Sequence, residues 1–173
     1  DVEQKECSDW TESVNKILEL SAEVDRYIES IAKRKVHISQ WEIWGNFDPK
    51  DFEELAQKGI HIQLCEYSVK EKPEFPEEVV LKTISISGGL VRAVAVSKEK
   101  EELPCQVMML PAIGLGQMRS LQEEDQVKIE QAQKKIEEER CYIKSLEKFL
   151  SERKSILEFE EVEKGMREEG ALA

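Results

Sequence analysis

The chain has 173 residues, of which 36% are charged, 40% hydrophobic and only 6% aromatic, and its formal net charge is −12. That length suits one modest core, or a small globule joined to a coiled coil, and the charge-rich, aromatic-poor composition favours the second. Acidic and basic residues are interleaved with no Lys/Arg block, which argues against a nucleic-acid surface.

In chain order, Trp10, Val14, Ile17, Ser21, Val24, Ile28 and Ile31 are separated alternately by four and three residues. This is a heptad seam, predicting a first coiled-coil helix over 8–35 with Ser8 or Asp9 as N-cap. Trp41, Trp44 and Phe47 then crowd around Gly45, an aromatic group better suited to anchoring a core than to caging a ligand. Asp48-Pro49-Lys50-Asp51 reads as a helix start, with Asp48 as N-cap, Pro49 at the first helical position and Asp51 among the orphan N–H groups. Phe52, Leu55 and Ala56 give that short helix (49–58) one apolar face, and Gly59 is its expected terminator.

A strand over about 60–68 follows, with Ile60, Ile62 and Leu64 on one face and His61, Gln63 and Cys65 on the other. Residues 70–78 are charged, contain Pro73 and Pro76, and read as a surface loop. Strands over 79–87 and 90–97 meet at Gly88-Gly89, a hairpin signal because both positions tolerate positive φ. A fourth strand is expected over 105–110, bracketed by Pro104 and Pro111. Gly114-x-Gly116 lacks the third glycine of a dinucleotide fingerprint and the Gly-Lys-Ser/Thr of a P-loop, and reads as a flexible entry to the next helix.

That next helix, over about 117–164, carries the longest pattern in the chain. Ile129, Ile136, Ile143, Leu150 and Leu157 recur every seven residues, with Ala132 and Leu146 three places after members of the series. Tyr142, Phe149 and Ile156 add a second series, so the apolar band is wider than a two-stranded seam requires. About 47 residues at 1.5 Å each would span roughly 70 Å, more than the diameter of the globule. Two heptad helices flanking one globule predict an antiparallel pair, which the globule closes at low entropic cost. Two separate parallel dimerisation helices are the alternative. The expected fold class is α+β: a small, four-stranded, mostly antiparallel sheet with a short helix, at the tip of a long antiparallel two-helix coiled coil. Residues 36–116 form the lobe of that arrangement.

Chemistry is sparse. Cys7, Cys65, Cys105 and Cys141 are widely spaced with no C-x-x-C, and read as reduced thiols. His37 and His61 have no cysteine or serine at a spacing that implies a catalytic pair. No catalytic, cofactor or metal residues are expected, and no apolar run reaches the length of a membrane span. Met108, Met109, Ile113 and Leu115 form an apolar strip that would adapt to a partner helix; alternatively the methionines fill the core. The chain opens at Asp1 with no initiator Met, and reads as a piece of something longer.

At Trp44-Gly45-Asn46-Phe47-Asp48-Pro49-Lys50-Asp51-Phe52-Glu53-Glu54-Leu55, followed by Lys58-Gly59-Ile60, the sequence resembles subunit I of rotary V/A-type ATPases, the prokaryotic counterpart of V-ATPase subunit a. Trp44, Gly45, Phe47, Asp48 and Pro49 match a W-G-x-F-D-P-x-D stretch of that family. The resemblance implies the distal lobe and part of the coiled-coil arm of the family's cytoplasmic half, without the membrane half that carries the ion pathway. It implies a non-catalytic stator at the cytoplasmic face of the membrane. Its partners would be the peripheral-stalk subunits E and G and the rest of subunit I, with no nucleic acid and no direct membrane insertion. Through them ATP hydrolysis or synthesis would be coupled to proton or sodium transport. The competing readings are a chromosome-organising hinge, which would dimerise through the lobe, a general coiled-coil adaptor, and an enzyme carrying a helical appendage.

Overall fold

The computed structural model describes residues 2–172, and side chains from residue 9 to residue 171. Its elements are α1 (Val2–Glu42), α2 (Pro49–Gln57), β1 (His61–Ser68), β2 (Val80–Ser87), β3 (Leu90–Ser97), β4 (Gln106–Val107) and α3 (Leu115–Leu172). The fold is α+β. By contacts the chain divides into two units, Ile31–Glu124 and the remainder of the two long helices.

In the unit Ile31–Glu124, the four strands lie in the order β2-β3-β1-β4, and every neighbouring pair is antiparallel. Gly88 and Gly89, at φ 59° and 77°, make the two-residue turn between β2 and β3, a backbone open to glycine because it has no Cβ. Period-two alternation sends the sheet's side chains to two faces. From one face, Leu64 enters a cluster with Trp41, Trp44, Leu115 and Met118, against which Val94, Phe47, Ile38, Met108, Leu110 and Ile113 also pack. From the other, Cys65 and Ala93 are paired in register and buried. The core therefore draws on the end of α1, the start of α3 and the sheet between them.

Several boundaries differ from the sequence-based expectation. α1 is already helical at Val2, so neither Ser8 nor Asp9 starts it, and it runs on to Glu42. Glu, Gln and Lys before the first heptad residue are good helix formers and extend the helix past its apolar pattern. α3 likewise continues through Gly165 and Gly170; each glycine costs about 1 kcal/mol relative to alanine, which surrounding Glu, Arg, Met and Ala tolerate. The fourth strand is only Gln106–Val107, paired with Glu66 and Cys65. One further bond, from Met108 N–H to the Leu64 carbonyl at 2.7 Å, ends its pairing before the chain turns into the core.

In the other unit, α1 and α3 meet through side chains. Lys16 Nζ lies 2.8 Å from Glu139 Oε1, Lys128 Nζ stands 5.5 Å from the centre of the Tyr27 ring, and Ser30 Oγ donates to Asp125 Oδ2 at 3.2 Å. Position rises along α1 as it falls along α3, so these segments run antiparallel.

Candidate functional site

The family-motif residues Trp44, Gly45, Phe47 and Asp48 lie in the short connection between α1 and α2, Pro49 opens α2, and this stretch holds three helix ends together. It begins with the last turn of α1, closed by Trp44 N–H to the Trp41 carbonyl (3.0 Å) and Gly45 N–H to the Glu42 carbonyl (3.3 Å). Gly45 adopts φ 88°, which reverses the chain and leaves Trp41 and Trp44 both buried. Phe47 places its ring 6.0 Å from Trp41, edge to face, and 5.0 Å from Phe52 of α2, a geometry that adds to the burial of each ring.

The next residues serve two helix N-termini, where orphan backbone N–H groups need acceptors. Asp48 Oδ1 accepts from Lys50 N–H at 3.0 Å and caps α2, with Pro49 buried at its first helical position. Asn46 Oδ1 accepts from Gly116 N–H at 3.2 Å and so caps α3 across the fold. Gly114 must be glycine here, since a Cβ on it would sit 2.5 Å from the Phe47 carbonyl oxygen. The reading of Gly114-x-Gly116 as a flexible entry is therefore corrected: just ahead of α3, the chain at Gly114 passes close against the Phe47 backbone. An ion pair from Arg119 to Glu42 at 2.9 Å adds a further tie between the ends of α3 and α1.

The arrangement joins the end of α1 to the starts of α2 and α3. Asp48 Oδ1 and Asn46 Oδ1 both serve as capping acceptors, and among the described residues no group of three or more His, Cys, Asp and Glu could hold a metal. Among the same residues no helix is long and apolar enough to cross a membrane. Cys65, away from the motif, has its thiol pushed up to about 12 by burial and by a hydrogen bond with Cys105, which burial also raises. Cys141 is exposed, and Cys65, Cys105 and Cys141 are free thiols. The Cys7 side chain lies outside the described residues.

The other sequence-derived candidates separate. Of the partner strip, Leu115 is buried and Met108 and Ile113 pack against the core, so only Met109, 90% exposed, faces outward. On α3, Ile129 is buried, Ile136, Ile143, Leu146 and Leu150 are half-buried, and Leu157 is 46% exposed. On α1, Val24 is buried and Val14, Ile17 and Ile31 are half-buried, whereas Trp10 and Ile28 are 41% and 51% exposed. Tyr27 replaces Ile28 at the contact with α3. Two neighbours at adjacent positions fit a heptad nearly equally, and Tyr27 brings an aromatic face for Lys128 and a hydroxyl that donates to Glu23. Asn46 and Gly114 were visible in the sequence only as a motif letter and half of a glycine pair; their meeting is tertiary. Asp125 and Glu139 were hidden among many surface carboxylates.

The fold and clamp define a class of protein: a small α+β lobe built on the ends of two long helices. Against known proteins, no protein-family model matches the chain, and no solved structure matches it. It is 36% identical over 93 residues to V-type ATP synthase subunit I 1 of Treponema pallidum (strain Nichols). That stretch is 54% of this chain and 15% of the relative. Over about half of its length the chain is thus a homologue of V-type ATP synthase subunit I, the protein its Trp44–Pro49 motif resembles.

Proposed function

We propose that this chain is a lobe-and-arm portion of a subunit I-type stator in a rotary ATPase. In this reading residues 36–116 are the lobe, and the helices over 8–35 and 117–164 are its coiled-coil arm. The lobe anchors the peripheral stalk, a heterodimer of subunits E and G, at the cytoplasmic face of the membrane. The stalk keeps the catalytic head from turning with the rotor, so that ATP hydrolysis or synthesis remains coupled to proton or sodium transport. The chain performs no bond-making step itself.

The observation that carries this reading is the clamp at Asn46, Phe47 and Gly114. A stator transmits torque only if its parts meet without a compliant joint, and a flexible linker would absorb the load. Here backbone meets backbone, and one side-chain cap joins the motif to α3 across the fold. The homology to a V-type ATP synthase subunit supports the same conclusion. Met109, 90% exposed just beyond β4, supplies an apolar side chain on the lobe for a docking helix.

The reading is tested by titrating this chain with a purified E–G heterodimer by calorimetry. Saturable one-to-one binding that weakens on Met109→Glu is the expected result. No binding at tens of micromolar, or binding that Met109→Glu leaves unchanged, would count against it.

A further inference from the structure

The inward stripe of α3 is not uniformly apolar. From Met118 onward its half-buried and buried positions include one seven-residue series that reads Met118, Asp125, Ala132, Glu139, Leu146, Arg153, so that a charged side chain occupies every second heptad. The companion series Ile129, Ile136, Ile143, Leu150 carries no charge. Across from Asp125 and Glu139, α1 presents matched polar groups. Asp125, only 9% exposed, accepts from Ser30 Oγ at 3.2 Å. Glu139 accepts from Lys16 Nζ at 2.8 Å, and Ser13, buried beside it, also bonds to it.

We infer that these charged stripe positions select α1 of the same chain as the partner of α3, and reject a second copy of α3. A helix with a continuous isoleucine–leucine stripe would otherwise pair with itself in parallel, since such stripes drive self-association. In an in-register parallel pair, Asp125 would face Asp125, Glu139 would face Glu139 and Arg153 would face Arg153. Each layer would then bury like charges together with no counter-ion, which is costly in a partly desolvated seam. Pairing with α1 gives Glu139 an ammonium and Asp125 a hydroxyl. Discrimination thus comes from what the wrong partner lacks as much as from what the right one supplies. The inference stands on contacts between α1 and α3 and is independent of the stator reading.

The test is sedimentation equilibrium of the whole chain and of Asp125→Leu/Glu139→Leu, with circular dichroism to establish that each is helical. The parent chain sediments as a monomer, and the double variant shifts to about twice the monomer mass at the same concentration. The same two leucines placed on the opposite face, as Glu130→Leu/Glu137→Leu, leave the monomer unchanged. A third variant guards against loss of folding: Lys16→Glu/Glu139→Lys restores the cross-helix pair with reversed charge and stays monomeric. A parent chain that is already dimeric, a monomeric and helical seam double variant, or equal dimerisation of the opposite-face variant would each overturn the inference.

Discussion

Asn46 does its work at a distance, capping α3 through the Gly116 N–H, 70 residues later in the chain. Removing such a cap costs about 1 kcal/mol, so Asn46→Ala should lower unfolding stability by about that amount in urea titration, while Asn46→Asp retains most of it. Gly114→Ala should cost more, about 1–3 kcal/mol, because its methyl meets the Phe47 carbonyl rather than a movable side chain. Glu139 is held below its ordinary value of 4.5, chiefly by the hydrogen bond from Lys16 and then by that from Ser13. A depressed carboxylate stabilises the folded state above its unfolded pKa and loses that contribution as pH falls through the folded one. Glu139→Gln should therefore flatten the acid limb of thermal stability below about pH 4.5. Cys65, raised from an ordinary 9.0 to about 12, is buried and protonated, so maleimide labelling at neutral pH should modify exposed Cys141 first and leave Cys65 last.

At the scale of elements, strength of local signal decided what could be read beforehand. Asp48-Pro49 and Gly88-Gly89 announce their helix start and hairpin because one or two residues set the backbone there, and α2 and the β2–β3 turn lie where those signals put them. β4 depended instead on how much of the β1 edge remained open, a tertiary fact, and shrank to two residues. The tie between the motif and α3 was likewise illegible, since nothing in a lone Asn46 or Gly114 names its partner. Trp44 is the element-joining side chain: it is buried where α1, α3 and the sheet meet. Trp44→Ala should destabilise by about 3–5 kcal/mol in chemical denaturation. Beyond Arg153 every described α3 residue is exposed. Hydrogen exchange should accordingly be slow for amides from Met118 to Leu150 and fast from Lys154 onward, because unpacked helix opens locally.

At the scale of the whole molecule, the proposed stator role gives the two long helices and the lobe the task of carrying force, and the similarity to V-type ATP synthase subunit I supports that proposal. The stator reading makes rigidity at the clamp the functional quantity, separable from folding by choosing a substitution that keeps the lobe folded. The most direct measurement places Asn46→Ala/Gly114→Ala in the full-length subunit, assembles the rotary complex in vesicles, and records ion transport and ATP hydrolysis together. The account predicts that hydrolysis persists while ions moved per ATP fall, in complexes whose subunit I retains cooperative unfolding. An unchanged ratio in assembled complexes carrying the substituted subunit would contradict it.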